Sequence, residues 1–166
     1  MSINHWIVKN LVCTLFLVVG GLNIYAQKDK YLIEAEAFQF KGKWSTDRSA
    51  DCMGSAMLRL NGGGSLDEQF DALTVVNIME EGDYNVWVRS ADYDKLPGTR
   101  LFRLSVDEKP MKESGKHGKV GFYWENAGCV QLAKKQVLLR LHDTKRNFGR
   151  CDAILLVKDH SINPNE

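Results

Sequence analysis

The chain has almost no net charge: 22 lysines and arginines against 21 aspartates and glutamates leave +1 over 166 residues. That balance gives no reason to expect nucleic acid or an anionic membrane surface as a partner. Long apolar runs are also missing. The longest, residues 11–22, spans roughly 12 positions, short of the ~20 that a membrane-crossing helix needs. Cysteine is scarce, and beyond Cys13 only Cys52, Cys129 and Cys151 remain, an odd number that excludes a fully paired framework. Cys52 with Cys129 is the one pairing to consider, because Cys151 sits in the core phase of a strand and reads as a small buried hydrophobe. No dinucleotide fingerprint is present: Gly62-Gly63-Gly64 lacks the Gly-x-Gly-x-x-Gly spacing, so FAD is not expected. Zinc-ligand spacing, internal repeats and a convincing amphipathic helix are absent too. Ser55 lacks a nucleophile elbow, and His142-Asp143 are strand neighbours that point apart, so no catalytic group is expected and the chain reads as a non-enzyme.

What is present begins with a targeting pattern. His5 and Lys9 precede the short apolar run, and Ile24-Tyr25-Ala26 offers a cleavage site before Gln27. A membrane anchor is the alternative. Residues 1–26 are expected to be a signal peptide and residues 27–166 a single domain, exported to the periplasm, the cell surface or the medium, with no membrane span after cleavage. Removing that segment, which carries Lys9 and no acid, brings the formal charge to zero.

The remainder reads as short strands separated by turns. Strand patterns fall at residues 31–38, 53–60, 73–79, 84–89, 101–107, 128–132, 137–142 and 151–157, with the aromatic segment 121–124 edging into one of them. Residues 41–50 read as a polar loop carrying Trp44, and residues 111–119 as a Gly- and Lys-rich loop. Eight or nine strands without a helix predict an all-β fold, an antiparallel β-sandwich of jelly-roll type.

One acid breaks this pattern. In Gly149-Arg150-Cys151-Asp152-Ala153-Ile154-Leu155, Asp152 heads a run that is otherwise apolar. A buried carboxylate without a partner is costly, so a cation, an arginine such as Arg150 or Arg140, or backbone donors should face it.

These residues, with Ile33-Glu34-Ala35-Glu36, Met53-Gly54-Ser55, Trp87-Val88-Arg89, Pro97-Gly98 and Leu141-His142-Asp143, resemble the galactose-binding-like β-sandwiches. The pattern is similar to the carbohydrate-binding modules of families 6 and 35, and to an accessory domain found beside bacterial FAD-dependent oxidoreductases. The resemblance covers residues 31–159 and implies a structural calcium held by Glu34, Glu36 and Asp152 with backbone carbonyls. It also matches the segment from Phe122 to Trp124, and Arg150, to ligand-contacting positions. The chain departs from the pattern at Cys52 and Cys129, and in having Phe122-Tyr123-Trp124 where paired tryptophans are expected.

Two ligand surfaces follow. Trp87 and Arg89 share the outer phase of one strand, Arg103 that of the next, and Arg140 with His142 that of a later one. Were these strands neighbours, one face would carry a ring and several guanidinium forks suited to sugar faces, hydroxyls and carboxylates. Equally, Trp87 packs under a loop and the arginines pair with acids. The second surface is the loop rim, with Trp44, Phe122, Trp124, Asn147 and Arg150. The expected function is non-catalytic binding of a polysaccharide or oligosaccharide, or its presentation to a carbohydrate-active enzyme. A structural or protein-interaction sandwich of the same fold, or a small glycan-active hydrolase, are the alternatives.

Overall fold

Alternation of apolar and polar side chains builds most of this computed structural model, which describes residues 24–27, 29–62, 67–144 and 148–166. The expected apolar leader (11–22) and Asn147 lie outside the described residues. Among the described residues there are eleven strands: β1 (Ile24–Gln27), β2 (Lys30–Glu34), β3 (Ser45–Arg48), β4 (Ala56–Arg59), β5 (Ala72–Asn77), β6 (Gly82–Ala91), β7 (Phe102–Val106), β8 (Lys109–Ser114), β9 (Phe122–Leu132), β10 (Gln136–Asp143) and β11 (Arg150–Val157). The expected cleavage point after Ala26 falls inside β1, which pairs with β2.

The strands form two sheets. A seven-stranded sheet runs β1-β2-β11-β4-β3, with β6 joining β11 to β9; a four-stranded sheet runs β5-β10-β7-β8. All pairings between these strands are antiparallel. Between the sheets lie Tyr31, Ile33, Val86, Val88, Ile154 and Leu156 from one side and Val76, Phe102, Leu104, Leu139 and Leu141 from the other. Burial of this apolar surface drives the two sheets together.

Several expectations are corrected. Residues 111–114, read as part of a loop, belong to β8 and pair with β7, across a turn at Asp107 and Glu108 whose positive φ angles (50° and 68°) reverse the chain. Residues 45–48 form edge strand β3 inside the expected polar loop. Both are largely solvent-facing strands with little apolar alternation to reveal them. The chain at 122–132 is one continuous strand, bulged where it meets β6 between Val86 and Trp87. Cys52, Cys129 and Cys151 are all free thiols, so the considered bridge is absent; Cys129 Sγ instead lies 2.8 Å from Asn85 Oδ1.

Candidate functional site

Asp152 is the residue at which β11 slips register against β6: Cys151 faces Ser90 and Ala153 faces Arg89. The extra residue re-aims the carboxylate, which is fully buried. Its partner is neither Arg150 nor Arg140. Arg89, the outward residue of β6, places Nη1 on Asp152 Oδ2, and the Met53 backbone N–H donates to the same oxygen at 3.2 Å. Arg89 also donates to the Asp51 carbonyl at 3.1 Å. Burial pushes the Asp152 carboxyl above its usual range, and the hydrogen bond from Arg89 opposes that rise. The Cys52 thiol beside it is pushed up to about 12, by burial first and the Asp152 charge second.

The two other acids expected here do come near. Burial raises Glu36 to about 7, against its own backbone hydrogen bond, with Glu34 and Asp152 adding to the rise. A Cβ on Gly54 would lie 2.6 Å from Glu36 Oε1 and 2.9 Å from Glu34 Oε1, so only glycine lets this turn lie across both carboxylates. Glu36 Oε2 and Asp152 Oδ1 are buried with no hydrogen-bond partner among the described residues. Two orphaned acceptors beside a third carboxylate fit a hard cation. Among the described residues, however, no three Asp, Glu, His or Cys side chains form a metal-holding group by themselves, and Arg89 already supplies one positive charge. A cation here would rely on backbone oxygens as well.

The expected ligand residues separate into three places. Trp44 is core: it is 3 % exposed, meets Phe102 edge-on at 5.6 Å and packs against the Gly149 backbone, leaving no ring face for a ligand. Trp87, Arg89, Phe122 and Trp124 gather on the outer face of the larger sheet, where Arg89 pairs in register with Trp124 and Ala91 with Phe122. The Arg89 guanidinium sits 5.2 Å over the Phe122 ring. The Asn165 side chain brackets the Trp124 backbone, accepting from its N–H at 3.0 Å and donating to its carbonyl at 2.9 Å. Arg103, Arg140 and His142 lie on the other sheet, so the single platform expected from the sequence does not exist.

Arg150 alone reaches the rim. It lines a pocket of about 190 Å³ with Tyr93, Thr99, Arg100 and Phe148. Tyr93 and Phe148 are exposed rings, at 41 % and 44 %. Arg100 stacks 5.8 Å over Tyr93 and donates to the Asp92 carbonyl at 2.7 Å. Among the described residues neither Arg100 nor Arg150 holds an acid in an ion pair. Burial lowers both guanidiniums, and for Arg150 the charges of Arg100 and Arg59 lower it further. Two partly desolvated like charges between open rings make a place for an acceptor-rich ligand. Sequence reasoning missed Tyr93, Arg100 and Phe148; only Phe148, two residues before Arg150, carried a local signal.

No family model matches this sequence, and no curated protein sequence matches it. Solved structures do. The chain superposes on a β-(1,4)-mannanase carrying a family 35 carbohydrate-binding module from Podospora anserina, at 17% identity and TM-score 0.62, over 84% of this chain and 31% of that one. It spans about a third of that enzyme. A family 35 carbohydrate-binding module from Clostridium thermocellum matches at 18% identity and TM-score 0.59, over 76% of this chain and 97% of the module. The C-terminal family 6 module of a laminarinase from Zobellia galactanivorans matches at 16% identity and TM-score 0.59, over 78% of this chain and all of the module. The two modules are matched along nearly their whole length, and the mannanase over part of its length. The chain has the jelly-roll β-sandwich fold of the family 35 and family 6 carbohydrate-binding modules.

Proposed function

We propose that this chain is an exported carbohydrate-binding module that captures glycans at the rim pocket of Tyr93, Thr99, Arg100, Phe148 and Arg150. The carrying observation is the Arg100–Arg150 pair, buried enough to lose hydration, in no ion pair among the described residues and flanked by two exposed rings. Rings of this kind stack on sugar faces, and paired guanidiniums favour sugars bearing carboxylate or sulfate over neutral ones. Capture at the rim calls on no catalytic group. Export rests on the composition of residues 1–26, and presentation of glycan to a partner enzyme rests on the architecture of the mannanase, whose module stands beside a catalytic domain.

Calcium at Glu34, Glu36 and Asp152 belongs to the same reading, as a structural ion that neutralises crowded carboxylates. The orphaned oxygens of Glu36 and Asp152 support it. The ion would lock the start of the sandwich to β11 and take no part in ligand chemistry.

A glycan array with acidic and neutral polysaccharides, followed by calorimetry, tests the rim. Arg150→Ala and Phe148→Ala should each weaken binding by about 10- to 100-fold, the loss of one charge-assisted or stacking contact, with the melting temperature unchanged. Silence across the array would instead favour a protein-interaction sandwich. A calcium titration that leaves the melting temperature unmoved would remove the metal.

A further inference from the structure

The outer face of the four-stranded sheet carries a file of three side chains that capture at the rim does not use. On β10, Arg140 pairs in register with Ser105 of β7, and His142 with Arg103. Ser105 and His142 therefore sit diagonally on one face, and His142 Nε2 is 2.6 Å from Ser105 Oγ. On the other flank Arg140 faces Leu73 of β5, which brings Asp71, just before that strand, to the far side of the ring. His142 Nδ1 is 2.8 Å from Asp71 Oδ2. Among the described residues that oxygen makes no hydrogen bond, so the contact is one of charge and proximity. Asp71 is 5 % exposed, and Ser105 lies on the floor of a groove of about 490 Å³. The adjacent Asp143 points to the opposite side of the strand, so the sheet supplies from a neighbouring strand the acid that His142 lacks in sequence.

A hydroxyl at Nε2 and a carboxylate beside Nδ1 are the neighbours that a general base needs if Nε2 is to accept a proton from Ser105. Two guanidiniums border the hydroxyl. Arg140 is directly opposite Ser105 and is held only loosely, at 3.4 Å from Glu68 and 3.6 Å from Asp71. Arg103 is two residues before Ser105 on the same strand and pairs with Glu113 at 3.0 Å. Either can turn toward negative charge developing beside Oγ. Glu108, Pro110, Asp143 and Thr144 complete the groove walls, which among the described residues are mostly charged and polar side chains suited to a short acyl group.

We propose that Ser105, His142 and Asp71 form a nucleophile, general base and orienting acid, and that the chain hydrolyses small acyl esters, of acetyl size. Ser105 Oγ attacks the ester carbonyl carbon while its proton passes to His142 Nε2. The carbonyl electron pair moves onto oxygen and returns as the ester C–O bond breaks, and His142 protonates the departing alcohol. Water then attacks the acyl-serine, gives its proton to His142, and releases the carboxylic acid as Ser105 regains the proton. The reaction consumes water alone. It is independent of the rim pocket, which lies elsewhere, so a silent glycan array leaves it standing.

Two measurements on the full chain test this. The first is release of p-nitrophenol from p-nitrophenyl acetate and of acetate from peracetylated glucose. Ser105→Ala and His142→Gln should lower kcat/KM at least about 100-fold, the usual weight of a positioned base, and Asp71→Asn should lower kcat. The second needs no variant: a fluorophosphonate probe should add one label to the unaltered chain, on the peptide containing Ser105. Folded wild-type chain that takes no label at Ser105, or hydrolysis unchanged by Ser105→Ala, would overturn the proposal.

Discussion

Replacing Arg89 by methionine keeps most of the side chain's volume and strips one charge from beside Asp152. The carboxylate is fully buried and its counterion is 19 % exposed. Removing one partner of a buried pair costs about 3–5 kcal/mol because the other charge is left uncompensated, and the partial exposure of Arg89 puts the expected loss near the lower end. Arg89 also makes the Asp51 hydrogen bond and covers Phe122, together about 1 kcal/mol that does not vary with pH. The rest does vary. Without Arg89 the Asp152 carboxyl rises further above its usual value, so the folded variant holds a proton that the unfolded chain has released. Its deficit is therefore smallest near the ordinary carboxylate range and grows as pH rises. Urea melts at pH 4.5 and pH 7.5 read this directly. At the higher pH a loss of about 3 kcal/mol should lower the melting temperature by about 6–12 °C in a domain of this size. Adding Asp152→Asn to Arg89→Met should recover at least half of the loss. A deficit that is flat with pH, or a double variant no better than the single, refutes the pairing as the reason Asp152 tolerates burial.

Other perturbations follow from the same geometry. Glu36 stands at about 7 in the folded chain against an ordinary 4.5, so the native state binds more protons and stability without calcium falls as pH rises from about 4.5 to 7. Glu36→Gln should remove that fall, a gain at pH 7.5 of about 1 kcal/mol after allowance for solvent screening, visible by thermal melts at the two pH values. Gly54→Ala should cost about 1–2 kcal/mol in denaturant melts, because φ is +59° and the added Cβ meets the Glu36 carboxylate. Trp44→Ala should cost about 3–5 kcal/mol as a core cavity, yet leave glycan affinity per folded molecule unchanged in calorimetry; a selective loss of affinity would return Trp44 to the rim.

The sandwich was legible because β5 and β10 alternate in burial along their length, and β6 from Val86 to Ser90, as a half-buried strand must. β3 and β8 were not, since edge strands facing water carry little apolar alternation. The clasp was half legible. An acid before an apolar run announces that a partner exists, but Arg89 lies 63 residues away and only the β6–β11 register joins them. Arg89 looked like a free ligand arm because its outward phase on β6 is what sequence shows, whereas Asp152 reaches it from the neighbouring strand. Trp44 was misplaced for the opposite reason: a loop tryptophan reads as exposed until the chain folds the loop back onto Phe102 and Gly149. The Asp71–His142–Ser105 file draws one residue from each of three segments, so no local spacing could display it.

The position of Asp152 has a cause in parity. Cys151 and Ile154 are three residues apart, and both face the core with Leu156. A strand that alternates every two residues cannot put both on one side unless one extra residue intervenes. The register shift between Cys151 and Ala153 inserts that residue, and it is Asp152. An apolar residue there would leave a hydrophobe re-aimed at Arg89 and the Met53 amide; a carboxylate satisfies both donors through one oxygen, Oδ2. The bulge thus explains why an otherwise apolar strand contains an acid, and why that acid meets a cation supplied by β6. It also ends the regular pairing of β11 with β6 close to Arg150, which leaves that arginine at the rim beside Arg100. One inserted residue therefore lets Cys151, Ile154 and Leu156 share the core face while it turns a carboxylate toward Arg89.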